Sequence, residues 1–326
     1  MLNPLIENAY KVLEGKSLSR KEALEIAEKV SGEDILDLVS LANKIRKKYA
    51  GKIVPCSILN AKSGLCRQNC RFCAQAADHH TGIETYPLLD KKDVLEAVRK
   101  VYETGVRTFG YVTSGYGYKT VTKEFQAIID TLDAIHEEYP DLKICVSSGI
   151  LSKKTAGLLA KHHTWRYNMN LQTAPSRYAE LISKEHTIEE KIQTIRYLQE
   201  SGVTICCGGI FGLGENWKDR VEMAFAVREL GVDGCPLNVL LPIPGTPLAK
   251  QPVMSPADVA KAFALFRIVN PKIMIKFAAG RETTMKDFQG LLMLAGLNSM
   301  ITGGYLTTRG RSVEDDKAFL ARLDEF

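Results

Sequence analysis

No apolar run in this chain approaches the ~18 residues that a bilayer-spanning helix needs, so a helical membrane span is not expected. The first ten residues, Met1 to Tyr10, include Glu7 and no continuous apolar segment. A secretory leader is therefore not expected in them, and cytoplasmic residence is. No block of lysine or arginine stands apart from the acids. The 43 basic and 38 acidic side chains are interspersed and give a formal net charge of +5, a solvated surface rather than a nucleic-acid face. Low-complexity segments are absent. A complete phosphate loop is absent too: Gly212-x-Gly214 lacks both the remaining glycine of the dinucleotide fingerprint and a following Lys-Ser/Thr. Nucleotide phosphate binding is excluded on that ground.

What is present is cysteine in an unusual distribution. Three of the eight cysteines, Cys66, Cys70 and Cys73, fall within eight residues as Cys-x3-Cys-x2-Cys. Thiolates are soft, metal-seeking ligands, and a reducing compartment suits metal ligation better than disulfides. Structural zinc sites take four ligands, usually as two separated pairs. Here the run supplies three, and zinc would need His79 or His80 to complete it. A four-iron cluster on three cysteines would keep one iron open for a small molecule.

Short β-branched or apolar runs alternate with longer amphipathic ones. Strands are predicted at Lys52–Leu59, Arg107–Val112, Leu142–Ser147, Thr164–Asn168, Val203–Gly208, Cys235–Leu241, Lys272–Phe277 and Ser299–Thr302. Helices are predicted near 91–104, 122–138, 151–162, 187–201, 216–230, 256–269 and 284–295, several ending at a glycine (Gly105, Gly202, Gly231). At 326 residues and 45% hydrophobic, the chain can bury a large core. Eight strands alternating with helices predict an α/β fold, a (β/α)8 TIM-type barrel, and leave a doubly wound open sheet as the other closure. The expected division is an N-terminal helical extension over 1–50, a barrel over 51–309 and a tail helix over 310–326. In the extension, Ser17–Lys29 and Gly32–Tyr49 read as amphipathic helices, with Ser19 and Ser31 as caps. The cysteine run follows the first strand, at the end where barrel chemistry collects.

Cys66-Arg-Gln-Asn-Cys70-Arg-Phe-Cys73 resembles the cluster loop of the radical S-adenosylmethionine superfamily. That resemblance implies a [4Fe-4S] cluster whose open iron chelates the methionine moiety of S-adenosyl-L-methionine, which is then cleaved to a 5′-deoxyadenosyl radical. Thr113-Ser114-Gly115 lies where the superfamily holds the methionine amino group. Gly209 and Ile210 lie where a similar segment packs on the adenine. Read alone, both are tight turns. Within the superfamily, Tyr167-Asn168-Met169-Asn170-Leu171, Cys206-Cys207-Gly208-Gly209-Ile210, Pro236-Leu237-Asn238, Gly245-Thr246-Pro247-Leu248, Ala279-Gly280-Arg281-Glu282 and Leu306-Thr307-Thr308 together resemble the biotin synthase family. The resemblance spans about residues 40–325. It implies sulfur insertion into dethiobiotin, an auxiliary iron–sulfur cluster as sulfur donor, a reductant such as flavodoxin or ferredoxin, and a homodimer. It places Asn170 at the ribose and substrate and Asn238 at the ureido ring, whose donors and acceptors suit an amide.

The chain departs from the family pattern at the auxiliary cluster. Familiar members use three strand cysteines and an arginine. Here Cys145 and Cys206 remain, the third cysteine position is Gly110, and the arginine position is Lys276. Cys56, Cys207 and Cys235 stand where serine, serine and valine are usual, and Gln172 where aspartate is. Cys206 and Cys207 cannot both face the bore, and alignment puts Cys206 inward. Cys56, read as beside the lost strand-two position, is the first substitute ligand, and Cys235, of the wrong parity, the second. Three or four thiolates suit a cluster larger than two irons, and the pattern resembles a variant branch of the family from anaerobes with an enlarged auxiliary cluster. The competing expectations are another enzyme of the superfamily, of the hydrogenase-cofactor maturase or methylornithine-forming mutase type, or a zinc-stabilised binding scaffold.

Overall fold

The computed structural model describes residues 1–307, 310–323 and 325–326, so Thr308 of the sequence motif lies outside the described residues. Eight parallel strand positions succeed one another. They are β1 (Val54–Lys62), β2 (Thr108–Thr113), β3 (Lys143–Ser147), β4 (Arg166–Asn168), β5 in two segments (Thr204–Cys206 and Gly209–Phe211), β6 (Gly234–Val239), β7 (Met274–Phe277) and β8 (Ser299–Ile301). Each pairs with the next, and β8 pairs back onto β1 through Val54↔Ser299 and Cys56↔Ile301. The sheet is closed, so the fold is the (β/α)8 barrel and not the open sheet.

The crossovers are helices whose ends are written in the sequence. Thr187 and Asn216 each form a capping box with the residue three positions on, starting Ile188–Glu200 and Trp217–Glu229. Gly105, Gly202 and Gly231 take the left-handed conformation at φ of +83°, +82° and +61°, as helix-stopping glycines do. The last predicted helix is the exception. Over 281–294 the chain forms a π-turn (Arg281–Met285), a 3-10 turn (Lys286–Phe288) and a short helix (Gln289–Leu294), with Lys286 at φ +45°.

The extension holds the helices Pro4–Ala9, Arg20–Lys29 and Asp34–Tyr49. Ser19 caps the second with a capping box to Glu22. Ser31 does not cap the third, whose N-terminal flank is Glu33 with no side-chain bond. The third helix lays Ile35, Leu38, Leu41, Ala42 and Ile45 inward against the barrel helix Pro256–Val269, which is buried over nearly its whole length. Buried Lys261 donates to the Ala27 and Val30 carbonyls at 2.9 and 3.0 Å. These bonds occupy the carbonyl end of the second helix with a cation, a favourable pairing.

Two strands run further than the sequence pattern suggests. β1 continues to Lys62. Gly209–Phe211, read as loop, pairs with Leu237–Val239 of β6. The break in β5 is enforced at Gly208, where a Cβ would lie 1.9 Å from the Pro236 carbonyl oxygen. Gly208→Ala is accordingly expected to destabilise the protein well beyond the usual ~1 kcal/mol of a point change. Gly157, within a helix and with only Ser201 Oγ at 3.9 Å from its Cβ position, is the contrast: Gly157→Ala is expected to stabilise by about 0.5–1 kcal/mol. Thermal denaturation of the two variants checks both signs.

Candidate active site

The cysteine loop leaves β1 at Lys62 and folds back on itself. Cys66 N–H donates to the Gln75 carbonyl at 3.0 Å, Ala77 N–H to the Cys66 carbonyl at 2.8 Å, and Cys73 N–H to the Cys70 carbonyl at 2.8 Å. Leu65 and Asn69 adopt φ of +53° and +46°, left-handed turns that fold the loop back on itself. Arg71 N–H donates to the Ile182 carbonyl at 2.9 Å and Ser183 Oγ to the Gln68 carbonyl at 2.6 Å, fastening the loop over the barrel mouth. Burial and the neighbouring Cys73 push the Cys70 thiol up to about 12, and burial pushes Cys73 up to about 11. Such thiols ionise when a metal displaces the proton.

The histidines sort differently from the sequence expectation. His79 Nδ1 is 2.8 Å from the Cys73 carbonyl oxygen, a backbone contact. The ring that reaches the loop is His186, with Nε2 3.4 Å from Cys70 Sγ and Nδ1 2.7 Å from the Tyr178 hydroxyl. Burial and nearby Lys191 push His186 down to about 4, so it is neutral near pH 7. Among the described residues, no three His, Cys, Asp or Glu gather closely enough for a single metal ion. A multi-iron cluster carries its cysteines on different irons, a wider arrangement than a single-ion site.

Below the loop a cavity of about 350 Å³ runs down the bore. Phe72, Asn170, Ile210, Asn238 and Tyr305 line its upper part, and Cys56, Cys145, Cys206, Arg166 and Lys276 line it where the barrel strands begin. Cys56, Cys145, Arg166 and Lys276 also border a second cavity of about 210 Å³, so they form the wall between the two. Burial raises Cys145 and Cys206, against which Lys276 and Arg166 pull down. Burial also works against the charge on Lys276. The attraction of Cys56, Cys206 and Cys145 and a hydrogen bond with Cys56 outweigh it, and Lys276 stays above its ordinary value.

Register corrects one detail. Ile58, not Cys56, stands opposite Gly110, and Cys56 pairs with Ile301. A Cβ on Gly110 would lie 2.8 Å from Ile58 Cγ2, so Ile58 fills the space that a strand-two side chain would need. Cys56 is reached from two residues further down the same face. Cys207 and Cys235 border neither cavity and lie in the outer core. Cys235, carried above as the second substitute ligand, therefore does not share the cavity wall with Cys145 and Cys206.

At the mouth, Ser114 Oγ donates to the Gly64 carbonyl at 2.8 Å and Ser114 N–H to the Lys62 carbonyl at 3.0 Å. Ser114 thus braces the cysteine loop, and none of Thr113, Ser114 and Gly115 lines the cavity. Gly115 has φ +127° and open space where a Cβ would point. Asn170 Oδ1 accepts from Gly208 N–H at 3.1 Å, and Lys191 Nζ donates to the Asn170 carbonyl at 3.1 Å. Asn238 clasps two strands: its Nδ2 donates to the Gly209 carbonyl at 3.1 Å and its Oδ1 accepts from Ala279 N–H at 2.9 Å. Gly209 is held close, with Met223 Sδ 2.5 Å and the Gln172 carbonyl oxygen 2.6 Å from its Cβ position. Gln172, which lines the cavity, has its Oε1 buried with no hydrogen-bond partner, an acceptor that a polar ligand at the mouth would satisfy. The donor set, soft thiols at two levels and amides between them, fits iron–sulfur clusters and an organic cofactor.

Residues 62–227 match the radical SAM superfamily model, and residues 236–324 match the biotin and thiamin synthesis associated domain. A biotin synthase of Chlorobium phaeovibrioides is 54% identical over 327 residues, covering 100% of this chain and 98% of its own. The chain belongs to the biotin synthase family. Relatives of the same name from Chlorobium luteolum and Pelodictyon phaeoclathratiforme are 52% and 50% identical, each covering 100% of this chain and 98% of its own. Among solved structures, methylornithine synthase superposes with a TM-score of 0.83 at 18% identity, covering 97% of this chain and 96% of its own. The FeFe-hydrogenase maturase of Carboxydothermus hydrogenoformans gives 0.83 at 19%, covering 98% and 78%. These likenesses concern the fold. The two family matches meet between Trp217–Glu229 and β6, inside one closed barrel, so the sequence divides where the structure does not.

Sequence reasoning missed Arg166, His186, Lys191 and Tyr305. Arg166 was within reach, since Arg166, Asn168 and Asn170 alternate along one strand run. His186 has no such signal, being a lone histidine just before a cap residue. The Asn238 clasp makes a measurable prediction. Asn238→Ala leaves the Ala279 N–H and Gly209 carbonyl short of a partner, a loss of about 1–3 kcal/mol. A lowered unfolding midpoint is expected, together with weaker dethiobiotin binding by titration.

Proposed function

We propose that the bore carries out sulfur insertion in three tiers, with Cys66, Cys70 and Cys73 at the mouth, the substrate in the middle, and Cys56, Cys145 and Cys206 at the floor. The observation that carries this reading is the convergence of those three floor thiols on Lys276, directly under the cavity that the cysteine loop covers. Cys66, Cys70 and Cys73 would hold the [4Fe-4S] cluster, which when bound supplies electrons to cleave S-adenosyl-L-methionine to a 5′-deoxyadenosyl radical. Every other role belongs to the chain. The backbone around Thr113–Gly115 has the open space to take the cofactor's amino group. Ile210 offers an apolar wall, and Asn170 and Asn238 offer amide groups to ribose and ureido ring. The narrow bore keeps radical and substrate together and excludes water.

Cys56, Cys145 and Cys206 would hold the auxiliary cluster that donates sulfur. Lys276 and Arg166 offset its negative charge in a place where desolvation would otherwise oppose thiolates. Three thiols without a strand-two ligand suit a cluster larger than two irons. Dethiobiotin is the substrate and biotin the product. Anaerobically reconstituted protein with a flavodoxin- or ferredoxin-type reductant is expected to convert one to the other.

Cys66→Ala, Cys70→Ala and Cys73→Ala are each expected to abolish 5′-deoxyadenosine formation. A variant that cleaves at near the parent rate would remove that residue from the cluster. Cys56→Ser is expected to lower the iron and acid-labile sulfide of the auxiliary cluster and to stop biotin formation while some cofactor cleavage survives. Cys235→Ser, in the outer core, is expected to leave both intact. Full auxiliary iron in Cys56→Ser would make Cys56 a packing residue.

A further inference from the structure

His186 sits on the segment between the short helix Tyr178–Leu181 and the helix Ile188–Glu200, outside every cysteine motif. It is buried, and its two ring nitrogens meet two different polar atoms: Cys70 Sγ at 3.4 Å from Nε2 and the Tyr178 hydroxyl at 2.7 Å from Nδ1. The Tyr178 ring is itself buried, with Lys191 Nζ 5.6 Å from its centroid. We propose that His186 is a positioning residue for the first cluster, donating a hydrogen bond from Nε2 to the Cys70 sulfur and thereby raising the cluster's reduction potential. The proposal rests on the reading that Cys70 is a cluster ligand.

The tautomer follows from the contacts. A metal-bound thiolate has no proton and can only accept, so Nε2 must carry the hydrogen. Nδ1 of a neutral ring then has only a lone pair and must accept, and the Tyr178 O–H is the donor at 2.7 Å. The chain Tyr178 O–H to His186 to Cys70 sulfur is a fixed relay of hydrogen bonds, in which each group orients the next. Hydrogen bonds to a cluster's sulfurs withdraw negative charge and make reduction easier. The loop also has reason to need this group on Cys70. The Arg71 N–H to Ile182 carbonyl bond and the Ser183 Oγ bond to Gln68 pin the loop to the same segment that carries His186. The donor therefore keeps its place relative to the sulfur.

The experiment is a reductive titration of the reconstituted full-length enzyme, following the electron paramagnetic signal that changes when S-adenosyl-L-methionine is added. Iron and acid-labile sulfide are counted in the same samples. His186→Leu is expected to move the midpoint to more negative potential with the cluster content unchanged, and to slow cofactor cleavage severalfold at limiting reductant. Tyr178→Phe, which keeps the ring and loses the donor, is expected to shift the midpoint the same way by less. His186→Gln, whose amide N–H can take the place of Nε2–H, is expected to restore most of the parent value. A His186→Leu midpoint equal to the parent would overturn the proposal. Should His186→Leu fail to hold a cluster, Tyr178→Phe decides the matter, and a parent midpoint there would overturn it in the same way. A parent enzyme lacking any four-iron cluster on this loop would instead overturn the reading beneath it.

Discussion

Side chains on a closed parallel barrel alternate strictly between bore and outer layer, and that alternation decides which cysteines can act together. Cys206 and Cys207 are adjacent in sequence, yet one lines the cavity and the other lies in the outer core. On β6, Pro236 and Asn238 face the bore while Cys235 and Leu237 are in the outer core. A one-residue slip in either strand would exchange these sets and dismantle the floor of the cavity. Register among strands does the rest. The pairings Cys56↔Ile301, Gly110↔Cys145 and Asn168↔Cys206 fix the heights at which the thiols stand, and Ile58 takes the space above Cys56.

Electrostatics follow from that geometry. Burial pushes the Cys145 and Cys206 thiols above their ordinary range, since it disfavours the charged form. Lys276 and Arg166 line the same cavity as these thiols. A buried lysine alone would lose its proton, and a buried thiol alone would keep it. Placed together, the cations pull the Cys145 and Cys206 thiols part of the way back down, and Lys276 stays charged although buried. Lys276 brings this charge as a compact ammonium, which hydrogen-bonds Cys56.

The mouth obeys a different constraint. The cysteine loop is not regular structure, so its shape depends on backbone bonds within it and on two anchors to the segment after β4. Asn238, Asn170 and Gly208 tie the β5 break to its neighbours. The residues best suited to touch small molecules thus also hold strand ends together, so binding and local stability are coupled at this end of the barrel.

The sequence by itself determined the fold class, the strand and helix order, the cysteine loop and the family. Each is carried by local information: period-two and helical patterning, caps such as Ser19, helix-stopping glycines, and contiguous motifs. Even the outward direction of Cys235 was implicit in its parity with Asn238. Only the tertiary structure decided that Cys56 is two residues below the Gly110 level, that Ile58 fills the vacated place, and that Arg166 joins Lys276 at the floor. It alone brought His186 to Cys70 across 116 positions of sequence. Local patterns record which way a side chain points along its own strand. They do not record the stagger between strands or the landing point of a loop, which are set by closure of the barrel and by packing between residues far apart in the chain.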